Sequence, residues 1–236
     1  MEVYEINAYQ EVAAWKKKLM KRSGMLSRFS KTTQNKINSV IPEKIHEVIT
    51  DSIKSMVKTT LAGSNLTTKA KDVSGLTFEQ KEREVLKKIE AYQKTATIEG
   101  AGTGAGGLLL GLADFPLLIS IKMKMLFEIA ALYGFNIKDY EERVYLLYVF
   151  QLAFSSDEKR IETYRILENW DHEKEQYLEV DWRVFQQEYR DHIDLVKMFQ
   201  LVPGIGAIVG AYANYNLVQL LGNTAMNCYR MRMLAE

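Results

Sequence analysis

Nearly the whole chain reads as helix, with no β-hairpin signal, no long-period repeat and no low-complexity tract. Over residues 2–22, Tyr9, Val12, Trp15, Leu19 and Met20 recur at helical spacing against Lys16, Lys17, Lys18, Lys21 and Arg22. Residues 30–62 carry two shorter helical patterns separated by Pro42, and the polar, turn-rich stretch 63–76 (GSNLTTKAKDVSGL) reads as a loop. Thr77 with Gln80 forms a capping box that opens the next helix, which runs on through Val85, Leu86, Ile89 and Tyr92. Asp139 with Glu142, and Ser155 with Glu158, have the same spacing and predict helices over 139–154 and 156–170. Leu178, Trp182, Phe185, Tyr189, Ile193 and Val196 then mark one apolar stripe along a helix over 172–198. The predicted fold class is all-α, a multi-helix bundle. A basic amphipathic N-terminal region (1–75) is expected to precede a helical domain over 76–236.

Two glycine-punctuated apolar segments break the charged pattern. In the first, Gly100 to Ile121 (GAGTGAGGLLLGLADFPLLISI), Gly100, Gly104, Gly107 and Gly111 fall on one helical face. Each glycine costs a solvated helix about 1 kcal/mol relative to alanine. Such a row makes sense where a second backbone comes close. Asp114 is placed as an N-cap, with Pro116 in the first turn of a helix that ends near Tyr133, where Gly134 takes the left-handed C′ position. Two helices of about 25 Å joined by a sharp turn are marginal for a hydrocarbon core of about 30 Å. They read either as a buried pair or as a re-entrant or surface-embedded hairpin. The second segment, Met198 to Tyr229, has no Asp, Glu, Lys, Arg or His. Pro203 and Gly204 break the chain, and Gly206 and Gly210 set a GxxxG face. Asn214, Asn216, Gln219, Asn223 and Asn227 then demand partners inside a bundle. A central buried helix and an intramembrane element both remain open.

Charge sharpens this picture. The chain has 236 residues and a formal net charge of +1. Residues 1–95 carry 18 basic and 11 acidic groups, whereas residues 137–200 carry 9 basic and 15 acidic. The basic third can face an anionic surface or the acidic part of the same molecule. A single cysteine, Cys228, excludes an internal disulfide framework and reads as a buried structural thiol in a reducing compartment. The N-terminus MEVYEINAYQ lacks the layout of a secretory signal.

The string EGAGTGAGGLLLGLADFPLLISIKMKMLFEIAALYGF, together with VPGIGAIVGAYANYNLVQLLGNTAMNCYRMRML, resembles the bacterial EcsC family. The resemblance is strongest over 96–154 and 198–234. It is carried by the glycine run with Ala113-Asp114-Phe115-Pro116, by Ala131-Leu132-Tyr133-Gly134, and by Pro203 to Asn216. The family takes its name from an Ecs-type ABC transporter system, so the resemblance implies an accessory role in transport or secretion. It brings no catalytic residues with it.

Catalytic chemistry finds little support. Gly102 to Gly107 satisfies GxGxxG, but the residues before it are helical where a dinucleotide site needs a strand, and GxxxxGK[ST] is absent. His46, His172 and His192 belong to no metal-binding spacing. Glu99, Asp114 and Glu128 have the most apolar surroundings of the carboxylates. If they converged they could move protons or hold a metal. The plainer reading makes Asp114 a cap and pairs Glu99 and Glu128 with Lys94 and Lys124. Arg230 and Arg232 could reach lipid phosphates or helix carbonyls. No recognisable nucleic-acid module is present.

The expectation is a non-enzymatic accessory protein at the inner face of the cell membrane, with no cofactor. Its partner would be the anionic lipid surface or a helical membrane protein such as an ABC transporter. Self-association is left open. Gly100, Gly104, Gly107, Gly111, Asp114, Pro116, Gly134, Pro203, Gly206, Gly210 and Asn214 are the structural and interaction candidates. The alternative is a soluble helical hydrolase using Glu99, Asp114 or Glu128.

Overall fold

The computed structural model describes residues 2–21, 43–63, 72–105, 115–155, 157–179, 183 and 206–234. Among these the regular structure is entirely helical: α1 Val3–Met20, α2 Glu43–Ala62, α3 Phe78–Ala105, α4 Phe115–Tyr133, α5 Tyr140–Phe154, α6 Asp157–Glu168, the single turn α7 Trp170–Glu173 with a 3-10 turn Lys174–Tyr177, and α8 Gly206–Leu234. The all-α expectation is met. Gly107, Gly111, Asp114, Pro203, the pattern before Pro42 and the stripe beyond Glu179 lie outside the described residues.

α3 and α8 form the spine. Glu82 meets Arg230, Ile89 meets Gly222, and Gln93 meets Gln219. Rising numbers on α3 thus meet falling numbers on α8, so the pair is antiparallel with one constant register. Gly222 marks the closest approach: a Cβ there would stand 2.7, 2.8 and 2.9 Å from three carbons of the Ile89 side chain. α8 also touches α1, α4, α5 and α6, which makes it the central helix. The side chains of α5 are buried on nearly every side from Val144 to Phe154, as befits the apolar run VYLLYVFQLAF. Trp170, Tyr145, Tyr164, Tyr229, Phe150 and Phe154 supply the largest fully buried rings.

Several local signals were read correctly. The Thr77 amide donates to Gln80 Oε1 (2.9 Å) and the Gln80 amide to Thr77 Oγ1 (3.2 Å), a complete capping box. Gly134 has φ +100°. Its amide donates to the Ala131 carbonyl and that of Phe135 to the Ala130 carbonyl, the paired bonds of a Schellman motif. Lys81 Nζ adds a third cap on the Tyr133 carbonyl (3.2 Å).

Others were not. Asp139 makes no side-chain cap on α5, because its carboxylate accepts from Asn136 Nδ2 (2.8 Å) and Glu142 turns inward to Arg232. Ser155 Oγ is buried without a hydrogen-bond partner among the described residues, so no capping box opens α6 there. The helix expected over 172–198 does not start at 172: residues 170–177 form a single α-turn tightened into a 3-10 turn, and nearly all of the expected helix beyond Glu179 lies outside the described residues. On α1 the predicted stripe is met except at Tyr9. Ala8 is buried, Trp15, Leu19 and Met20 pack on the core, and Tyr9 stands exposed. Among the described residues, no helix is long and apolar enough to cross a membrane.

The Gly222 contact yields a measurable coupling. Gly222→Ala gains up to about 1 kcal/mol of helix propensity but overpacks Ile89 at a typical cost of about 1–3 kcal/mol. We expect a net loss in urea denaturation. In an Ile89→Ala background the same substitution should be neutral or stabilising. Equal effects in both backgrounds would show that the two helices do not meet at this pair.

Candidate functional site

The end of the spine where α3 begins and α8 finishes is built on two buried arginines. Arg230 and Arg232 are two residues apart and therefore leave opposite sides of α8. Arg230 is clamped by Glu82, fully buried on α3: Nε donates to Oε1 (2.6 Å) and Nη2 to Oε2 (2.8 Å). This is a bidentate pair of the strong, charge-assisted kind. Tyr133 and Tyr4 each donate a hydroxyl to Glu82 at 2.8 Å. The outer Nη1 of Arg230 reaches Glu11 of α1 (2.7 Å). On the other side, Arg232 donates to Glu142 (2.8 Å) and to Asp171 (3.0 and 3.3 Å). Its guanidinium lies over the rings of Phe135 and Tyr145 at 4.1 and 4.5 Å. Tyr229 donates to Glu142 and stacks on Tyr133 with 5.2 Å between centroids.

α1 crosses the bundle at this level, with Tyr4 on α3, Glu11 on α8 and Lys16 on Glu168 of α6. The Schellman turn at Gly134 delivers Phe135 onto Tyr229, with centroids 4.9 Å apart.

The electrostatics make this site a lock. Burial would lower both arginines, but their carboxylate partners outweigh it and hold both above the ordinary guanidinium value. Burial drives Tyr133, Tyr145 and Tyr229 well above the usual phenol value, and desolvation raises Cys228. Tyr4 is pushed up to about 12 by burial and by Glu82. None of these groups is poised to exchange a proton or act as a nucleophile near neutral pH. The cluster's chemistry is cohesion between helices.

At the other end, about 27 Å along α8 from Arg230 to Tyr212, the surface changes character. Exposed Ile98, Leu117, Tyr212 and Tyr215 lie at this end. Gly100, Gly102 and Gly104 fall in the last turns of α3, and Gly206 and Gly210 in the first turns of α8. Pro116 is exposed in the first turn of α4. Asn214 is buried, its Nδ2 without a partner among the described residues. Gln219 accepts from Gln93 (2.6 Å) and donates to Asn223 (2.9 Å), so part of the amide row is satisfied across the spine.

Of the carboxylate candidates, Glu128 is held midway along the bundle by Tyr92 (3.0 Å) and Lys88 (2.8 Å), in place of the expected Lys124. Glu99 lies about 10 Å farther along α3 than Tyr92. Among the described residues, no group of three or more His, Cys, Asp or Glu side chains could hold a metal ion.

With this geometry in hand, comparison with known proteins decides the lineage. The model of the EcsC protein family matches residues 6–234. The chain belongs to the EcsC protein family. It is 54% identical over 227 residues to Protein EcsC of Bacillus subtilis (strain 168), covering 96% of this chain and 95% of that protein. It is 26% identical over 254 residues to the Uncharacterized protein YdbA of the same organism, covering 96% and 92%. No solved structure matches.

Sequence reasoning missed the lock because its carboxylates were assigned elsewhere. Glu142 was taken for a capping residue, and Glu82 was passed over as one charge among many. Both nevertheless sit on apolar stripes: Glu82 with Val85 and Ile89, Glu142 with Tyr145 and Val149. A charge at a stripe position signals a buried pair, and the Arg-x-Arg that closes an otherwise uncharged helix supplies the partners.

Removing one member of a buried pair strands the other, at about 3–5 kcal/mol. Arg230→Met should cost that much in chemical denaturation, and adding Glu82→Leu should recover part of it. A single-variant cost below about 1 kcal/mol would show that the pair does not hold α3 to α8.

A second prediction concerns pH. Burial raises the Glu142 carboxyl above its ordinary value, against the pull of Arg232. A carboxyl that binds its proton more tightly when folded contributes less stability as pH rises through that window. The stability of the native protein relative to Glu142→Gln should therefore improve as pH falls from neutral toward the ordinary carboxylate range, then level off. A gap that instead grows in favour of the native protein toward neutral pH would mean that Arg232 outweighs burial.

Proposed function

We propose that this chain is a non-enzymatic accessory protein that docks on the inner face of the cell membrane through its glycine-rich end, by shallow insertion without spanning. The observation that carries this reading is the exposure of Ile98, Leu117, Tyr212 and Tyr215 at one end of the bundle. The lock at the other end is closed on itself. Tyrosine suits such a boundary because its ring enters the apolar layer while its hydroxyl stays wet. The uncharged length of α8 from Gly206 to Tyr229 adds no ionised group that would have to leave water. A transporter or secretion assembly is the setting that family membership suggests. The role would be support of that assembly, through lipid or through a helical membrane protein within it.

The test is fractionation of the protein at native level, followed by extraction with high salt, alkaline carbonate and detergent. We expect recovery with membranes and resistance to salt. An Ile98→Gln/Tyr212→Gln variant, altered only at exposed positions, should shift at least about tenfold toward the soluble fraction, from the loss of apolar contact area. Native protein found wholly in the soluble fraction would overturn the reading.

A further inference from the structure

The packing of α1 leaves an apolar surface unused. Its inward side is committed: Tyr4 to Glu82, Ala8 buried, Glu11 to Arg230, and Trp15 against Tyr164 with ring centroids 5.9 Å apart. At 100° per residue, this turns Val3, Ile6, Tyr9, Ala13, Ala14 and Lys17 toward solvent, with Lys21 exposed just past the helix end. Val3 is 78% exposed, Ile6 44% and Tyr9 57%, and Lys17, Lys18 and Lys21 are exposed as well. From Ile6 to Lys21 the outward strip carries no acidic side chain, Glu11 being held by Arg230, while Glu2 and Glu5 stand beside Val3 at the helix start. Lys16 is occupied by Glu168. The strip is thus apolar along its first two turns and basic along its last.

We infer that the outward face of α1 is a docking surface for an anionic lipid bilayer. The charge pattern selects this occupant. Large apolar side chains on a helix flank suit the acyl boundary, and lysines beside them suit lipid phosphates, as in helices that lie in the interface plane. The stripe through Trp15 and Leu19 packs on the core, so the edge left for a bilayer is the one through Val3, Ile6 and Tyr9. The position along α8 agrees. Arg230, where α1 sits, lies on the same helical row as Asn223, Asn216 and Tyr212, so α1 and exposed Tyr212 share one flank of the bundle. The inference rests on the membrane reading above and adds to it the segment and the lipid class.

The experiment is flotation of the full chain with vesicles of phosphatidylcholine alone and of phosphatidylcholine with phosphatidylglycerol. Each basic residue near an anionic surface contributes about fivefold in partitioning. Lys17→Gln/Lys18→Gln/Lys21→Gln should therefore lose at least about tenfold on the anionic vesicles. A control of equal charge, Lys58→Gln/Lys87→Gln/Lys138→Gln, should lose little. Val3→Gln/Ile6→Gln should weaken binding to the anionic vesicles too, and high salt should reduce it. Circular dichroism and thermal midpoints establish that each variant is folded. Native-like binding by the α1 lysine variant, equal losses in variant and control, or equal binding of the native protein to both vesicles would each overturn the inference and leave docking through the glycine-rich end standing. Flotation with neither vesicle would overturn it as well. The membrane reading then survives only if native fractionation still recovers the protein with membranes, which would make the partner a membrane protein.

Discussion

Arg230 brings a full charge into the bundle, and Glu82 is the group that makes this tolerable. Two guanidinium nitrogens meet two carboxylate oxygens, and two phenol hydroxyls fill the remaining acceptor positions. Taking both ions out of water costs several kcal/mol each, so the pair adds little net stability over an apolar substitute. Its effect is geometric. Sliding α8 by one turn against α3 would leave two buried charges without partners and drive Gly222 away from Ile89. Register between the two longest helices follows from that single contact, and the remaining elements are placed by it. α1 attaches to the outer nitrogen of the same arginine, and the Gly134 turn packs Phe135 onto the tyrosine that precedes it.

A fixed register gives the molecule two unlike ends. Where α8 finishes, charges are paired, rings are stacked and no polar group is left to react. Where α8 begins, the helix itself carries no ionised residue, and apolar and tyrosine side chains stand in solvent. Helix propensity argues against glycine in a helix interior, so a glycine kept there points to the close approach of a neighbour. Gly222 shows the principle at atomic detail: the space a methyl would need is already occupied by Ile89.

Helix existence and type were legible wherever the apolar period was long, as in α3, α4 and α5. The Gly134 stop was legible because only a left-handed position explains a glycine at the end of Ala131-Leu132-Tyr133. Side-chain assignments failed where one spacing fits two roles. Asp139-x-x-Glu142 has the spacing of a capping box, yet a buried arginine offers Glu142 a stronger partner than a helix amide does. Arg232 belongs to the last turn of α8, where cations usually face carbonyls, and only the fold reveals Glu142, Asp171 and two aromatic rings around it. Gly222 went unremarked because it stands alone, without the row that made the earlier glycines conspicuous.

α1 shows how such ambiguity is resolved physically. The helix carries two apolar edges, one through Ala8, Trp15 and Leu19, the other through Val3, Ile6 and Tyr9, and only one can face the core. Apolar area alone does not separate them. The polar hooks do: Tyr4 and Glu11 flank the first edge, and turning the helix over would pull both away from Glu82 and Arg230. The second edge must then face outward, whatever it costs in exposed apolar surface. Because the rotation of α1 depends on the same arginine that registers α3 against α8, its outward strip of apolar and basic side chains is set by the contacts that order the core beneath it.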